Sequence, residues 1–313
     1  MLVLAIAVTV LVIALSSDSG ESPSPAPKSK AAARGCSLDT PDASIEITVP
    51  RCTIVASDSA AEEDPRPFWG EIDCAEDSRH EVIDADGDQR PRADGAPQGD
   101  QSFRRMTVLD GDDEHGERCE LGENDHEDGP TAFYREGERR VTFFSVRLPS
   151  ELSLDGDTFQ VVMQMKQAQP ADNGGGTPVL ALEAYDGEWR LRQSKSVGPA
   201  EDARQLWSAP AQTGAWIRFA LDVTYSTNPS VGRVKLYADL DGDSDFADAD
   251  EQNAPIETYT LKSETAGDDD DGIDEGEPIP SHLRAGLYHN PEYACPGPDG
   301  CHVDFDNVQV IAP

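Results

Sequence analysis

Basic charge is what this chain most lacks. Against 61 Asp and Glu it sets 25 Lys and Arg, for a net charge of −36 over 313 residues, and lysine is the scarcer cation. That excludes nucleic acid as a partner, because phosphate backbones are met by basic surfaces. An acidic excess of this size fits a very soluble secreted protein, a salt-rich setting or calcium binding. Helical periodicity is nearly absent, which excludes a helix bundle. His80, His115, His126, His282, His289 and His302 include no two at zinc-ligand spacing. Neither a Ser-His-Asp order nor a phosphate loop stands out. The longest apolar run, Leu2 to Leu15, is shorter than the about 20 residues a membrane-spanning helix needs.

That run reads as the hydrophobic part of a signal peptide or signal anchor over residues 1–16, although it lacks a basic flank. Residues 17–35 form a flexible Ser/Pro/Ala linker, and residues 36–313 a single domain with its core at about 66–313. The expected product is a secreted monomer, tethered or released. Six cysteines behind an export segment imply disulfides. Cys295 and Cys301 are close enough to staple one loop. The sequence allows 15 connectivities, and Cys36 with Cys52 and Cys74 with Cys119 are the simplest guesses for the rest.

Short strand-like runs recur, separated by Gly, Pro and Asp clusters. They are 103–109, 140–148, 158–167, 179–185, 189–193, 216–225, 233–238, 257–262, 283–289 and 303–311. Such punctuation means an all-β sandwich or barrel. Residues 216–225 alternate best, with Ile217, Phe219, Leu221 and Val223 on one face and Arg218, Asp222 and Thr224 on the other.

Three segments carry the chemistry: R-C-E-L at 118–121, Q-M-K at 164–166 and H-L-R-A-G-L-Y-H-N at 282–290. As strands, each puts apolar residues on one face: Cys119 and Leu121, Met163 and Met165, Leu283, Ala285 and Leu287. The opposite faces present Arg118 and Glu120, Gln164 and Lys166, Arg284 and Tyr288. Cations for a carboxylate, beside a phenol that can move a proton, are what β-elimination of a uronic-acid polymer needs.

The three segments, in this order, resemble those of jelly-roll alginate lyases, which carry R-x-E-L, then Q-[IV]-H, then Y-F-K-A-G-x-Y-x-Q. Heparin lyase I and its relatives carry a comparable Gln/His strand and a late Lys-x-x-x-Tyr strand. The resemblance spans roughly residues 66–313, and it resides in the combination. It implies a concanavalin-like β-jelly-roll sandwich of two antiparallel sheets. It also implies a polysaccharide lyase that cleaves an acidic polysaccharide and requires no cofactor. The catalytic residues implied are Tyr288, Arg118, Gln164, Lys166 and Arg284, with Glu120 orienting a cation and Asn290 touching substrate. Lys166 stands where those families place His, and Arg284 where they place Lys. His115 or His126, in acidic loops flanking R-C-E-L, is a candidate replacement for the missing His.

Two other readings remain open. Glu71-Ile72-Asp73-Cys74-Ala75-Glu76 resembles the E-[ILV]-D-x-x-E strand of jelly-roll β-glucanases, whose paired carboxylates suit retaining hydrolysis. The same fold also serves non-catalytic carbohydrate-binding modules and adhesins. Asp239, Asp241, Asp243 and Asp245 alternate their carboxylates as a structural Ca²⁺ site would, without EF-hand spacing, and Asp84, Asp86 and Asp88 are a weaker second copy. The acidic stretch 268–277 reads as a solvated loop.

Overall fold

Side-chain alternation at a period of two decides the architecture, because each strand can bury only one face. The computed structural model describes residues 53–58 (backbone), 68–84, 102–113, 116–123, 133–154, 159–168, 177–194, 203–242, 246, 253–263, 276–290, 295 and 299–313. All of them belong to one unit, Arg34–Pro313. Residues 1–35, Cys36, Cys52, Asp86, Asp88, His115, His126, Asp243, Asp245 and the acidic stretch 268–275 lie outside the described residues.

The strands are β1 (Thr53–Asp58), β2 (Glu71–Cys74), β3 (His80–Asp84), β4 (Ser102–Val108), β5 (Arg118–Gly122) and β6 (Arg139–Arg147). Then come β7 (Phe159–Gln167), β8 (Leu180–Tyr185), β9 (Glu188–Gln193), β10 (Arg204–Pro210), β11 (Trp216–Thr224) and β12 (Arg233–Asp239). The last are β13 (Ile256–Glu257), β14 (Lys262–Ser263), β15 (Pro278–Ile279), β16 (Ser281–His289) and β17 (Cys301–Ala312). Among the described residues there is no α-helix, and no helix long and apolar enough to cross a membrane.

Two antiparallel sheets form, as expected. One runs β13-β12-β11-β6-β17-β4-β3, with β1 also paired to β17; the other runs β10-β9-β8-β7-β16-β5-β2. Between them lies one apolar core that takes Phe219, Leu221, Phe144 and Phe305 from the first sheet and Met163, Met165, Leu283 and Leu287 from the second. In β11 the alternation holds: Ile217, Phe219, Leu221 and Val223 are buried in this core. On the back of the first sheet a smaller cluster joins Val141, Phe143, Tyr237, Phe246 and Ile311. Asp304 of β17 is fully buried and accepts from Arg105 on β4 and Arg147 on β6, which satisfies its charge from both neighbouring strands.

The expected strand at 257–262 is instead two short pieces, β13 and β14, which pair in different sheets. β1, β3, β10 and β15 were not foreseen as strands, and β2 was met only in the β-glucanase-like segment.

Candidate active site

The outer face of the second sheet gathers the three motifs on adjacent strands, in the order β7-β16-β5. Antiparallel register puts Tyr288 opposite Arg118, Gly286 opposite Glu120, Arg284 opposite Gln164 and His282 opposite Lys166. Directly opposed residues share a face.

Glu120 is fully buried and takes hydrogen bonds on both oxygens. Arg118 Nη1 donates to Oε2 at 3.3 Å and Gln164 Nε2 to Oε1 at 2.6 Å. A buried carboxylate must be paired in this way, and the pairing fixes both donors. Arg118 in turn lays its guanidinium 4.3 Å from the centroid of the half-buried Tyr288 ring. Phe159 meets the same ring edge-on at 5.5 Å. Gly116, at φ +100°, closes the third side: a Cβ there would stand 3.1 Å from the ring. The phenol therefore sits in a defined seat of cation, aromatic edge and loop backbone.

Gly286 explains the glycine of the third motif. A Cβ at that position would lie 2.2 Å from the Cys119 carbonyl oxygen, so only glycine lets β16 approach β5 this closely. Gly122 plays a similar part beside Arg284, since its missing side chain lets that residue lean across β5 toward β2.

Arg284 is where the geometry departs from a simple substrate-facing cation. Its guanidinium is nearly buried and forks onto Asp73 and, at 2.9 Å, Glu71, with Glu120 at 4.0 Å. Burial works against its charge, yet Glu120, Glu71 and Asp73 more than offset that and raise its pKa above the usual value. Arg118 also faces Asp73, at 3.8 Å. The β-glucanase-like carboxylates Glu71 and Asp73 thus serve as counter-charges for arginine. Glu76 lies apart in an exposed turn beside Arg79.

His282 was not foreseen as part of the site. It is fully buried on β16, and its Nε2 accepts from Arg284 Nε at 3.2 Å. Burial first, then Arg284 and Lys166, push its pKa well below the usual value, so the ring is neutral. Its Nδ1 closes no hydrogen bond of normal geometry, although the Gln167 backbone lies near enough to favour a proton there. Its parity with Arg284 and Tyr288 was legible, but its place opposite Lys166 needed the register. Lys166 is buried beside it and near Lys262 of β14, whose amine donates to the Thr177 carbonyl. Burial, then Lys166, bring Lys262 down to about 8. Among the described residues this part of the face thus holds four cations, Arg118, Arg284, Lys166 and Lys262, against three carboxylates, Glu71, Asp73 and Glu120.

Behind β16, Glu123 is fully buried and accepts from the Leu283 backbone N–H at 3.1 Å. Burial pushes its carboxyl up to about 8. Tyr134, stacked on Tyr225 at 5.0 Å, lies beside it. Two disulfides frame the region: Cys74–Cys119 ties β2 to β5, and Cys295–Cys301 closes the loop after β16. Asn290 follows β16 directly and is half-buried.

Metal sites are not assembled by the described residues. His289, Cys295 and Cys301 cluster, but both sulfurs are bonded to each other and His289 Nδ1 meets Gln160 Oε1 at 2.9 Å. Asp239 is nearly buried, accepts from the Gly242 N–H at 2.8 Å and faces Arg218, while Asp241 is exposed.

The endo-β-1,4-glucuronan lyase of the fungus Trichoderma reesei shares 16% identity at a TM-score of 0.52, covering 83% of this chain and 96% of that one. The alginate lyase Aly36B shares 11% identity at 0.47, covering 82% and 91%. A GH131 β-glucanase catalytic domain from Podospora anserina shares 11% at 0.46, covering 82% and 95%. No curated protein matches. The profile that describes polysaccharide lyases matches residues 75–309, most of the chain. The chain therefore belongs to the polysaccharide lyase family and is a polysaccharide lyase of β-jelly-roll fold.

Proposed function

We propose that the polymer it cleaves is an acidic, uronate-containing polysaccharide and that the seat of Tyr288 is where the bond breaks. The observation that carries this is the Arg118–Tyr288 stack on a face where Glu120 also fixes Gln164. In β-elimination the proton on carbon 5 leaves, a C4–C5 double bond forms and the C4–O bond breaks. Arg118 meets the uronate carboxylate and stabilises charge as carbon 5 loses its proton. Tyr288 receives that proton and returns it to the departing oxygen, so no net proton is needed. Gln164 and Glu120 hold Arg118 and the carboxylate plane in register. Arg284 and Lys166 supply positive potential from below rather than direct contact, since both are nearly buried.

The hydrolase reading is less well supported. Retaining hydrolysis needs one carboxyl protonated to act as acid. Glu71 is instead taken up by the Arg284 guanidinium, and Glu76, the other glutamate of that segment, lies apart in an exposed turn beside Arg79, so the two do not flank one site as acid and nucleophile. We place the protein outside the cell, as the export-like segment and two disulfides suggest. The test is incubation with glucuronan, alginate, heparin and pectate while following the absorbance of an unsaturated uronate. Only elimination makes that chromophore. Release of reducing ends without it would instead show hydrolysis, and binding without product a non-catalytic module.

A further inference from the structure

The ladder that contains Tyr288 continues beyond the site. Tyr288 is opposite Val161, Val161 opposite Glu183, and Glu183 opposite Arg190. The neighbouring row runs from Arg284 through Gln164 and Ala181 to Arg192. Both rows meet an arginine on β9, and β10 adds Ser208 opposite Arg190 and Gln205 opposite Arg192. The core takes Leu180, Leu182, Trp189 and Leu191 from β8 and β9, so Arg190 and Arg192 stand on the same outer face as Tyr288. Strands lie about 4.8 Å apart, so three spacings place the pair roughly 14 Å from β16, the strand of Tyr288.

These arginines differ from the buried cations nearer the site. Arg190 and Arg192 keep 22% and 27% of their side-chain surface open to solvent. Each is also held in place. Arg192 Nε lies 2.8 Å from the fully buried Glu183 carboxylate. Arg190 lies 4.0 Å over the Tyr185 ring. Between them and β16 the outer face carries Val161 and Gln164 on β7 and Ala181 and the buried Glu183 on β8. In a protein of net charge −36, two ordered, accessible guanidiniums on the substrate face are a recognition feature.

Resting on the function proposed above, we infer that Arg190 and Arg192 form a remote subsite for anionic groups on the same polymer, which runs across β16, β7, β8 and β9. Such a chain repeats its carboxylate at every uronate, so a second cationic anchor some 14 Å away captures a later sugar. The enzyme would then select long chains and cut within them.

The experiment compares wild type with Arg190→Ala and with the Arg190→Ala/Arg192→Ala pair, on the uronate polymer wild type cleaves and on the shortest oligomer it cleaves. Arg190→Ala leaves no buried carboxylate unpaired, so it tests the idea even if loss of Arg192 unsettles Glu183. The expected result is a KM for polymer raised about tenfold in the pair and severalfold in Arg190→Ala, with kcat and oligomer kinetics unchanged. Equal polymer KM, or an equal loss on the short oligomer, overturns the subsite. If wild type cleaves no uronate polymer, the proposed function fails. Polymer binding by wild type and both variants then decides the subsite separately: weaker binding in the variants upholds it, and equal or no binding removes it.

Discussion

Arg118 stacks its guanidinium 4.3 Å from the centroid of the Tyr288 ring, across directly paired positions of two neighbouring strands. In the proposed function the pair joins the two groups elimination requires, a cation for the carboxylate and a hydroxyl for the proton. Neither side chain is free to drift: Glu120 holds the guanidinium, and Phe159 and Gly116 close around the phenol.

The loop contact gives the first prediction. Gly116→Ala places a methyl 3.1 Å from the ring at a φ of +100° that L-residues rarely adopt. The ring or the loop must give. We expect kcat to fall at least tenfold while thermal stability drops only slightly, because the strain sits in a surface loop. Circular dichroism melting together with initial rates checks this, and unchanged kcat would show that the seat does not set the position of the phenol.

Glu123 makes stability depend on pH. Unfolded, its carboxyl loses its proton near 4.5; folded, it does so at about 8. Between those values the folded state holds the extra proton, so this group's contribution falls as pH rises through that window. Glu123→Gln removes the effect and still fits beside the Leu283 N–H. Denaturant titrations at pH 5, 7 and 9 should show the variant gaining on wild type with rising pH, by up to about 1.4 kcal/mol per unit. A constant difference would contradict the assignment.

Under the proposed function, salt should separate this enzyme from a basic lyase. At net −36 the protein repels a polyanionic chain, and salt screens that repulsion as well as the attraction of the site cations. Initial rates on a uronate polymer should therefore hold or rise from low to moderate salt. A steady fall from the lowest salt upward would mean that local attraction dominates throughout.

Much of this was legible in the sequence because a strand has a period of two. Parity alone put Arg118 with Glu120, Gln164 with Lys166 and Arg284 with Tyr288, and it put Met163, Met165, Leu283 and Leu287 in the core. Pairing across strands was not legible. The segment Glu71 to Glu76 looked like a hydrolytic strand because nothing local shows that β2 lies beside β5, or that Arg284 reaches Glu71 and Asp73 over Gly122. Irregular pairing hid more, since the register slips between Val161 and Met163 and between Ala285 and Tyr288. His282 passed unnoticed because its neighbour Lys166 is distant in the chain, and only the strand register brings the two opposite each other. β10 escaped because its half-exposed, bulged sequence has little alternation.

The central claim is that Tyr288 moves the proton while Arg118 and its partners hold the sugar. Tyr288→Phe tests it most directly, because the ring, its stack with Arg118 and its contact with Phe159 all survive the change. The measurement is the initial rate of unsaturated-uronate formation, with polymer affinity determined in parallel. We predict a rate loss of roughly 100-fold to 10,000-fold, the usual share of a proton-transferring group. Affinity should stay within about threefold of wild type, well below the 1.4 kcal/mol that a tenfold change represents. Full activity in Tyr288→Phe would take Tyr288 out of the chemistry and contradict the account.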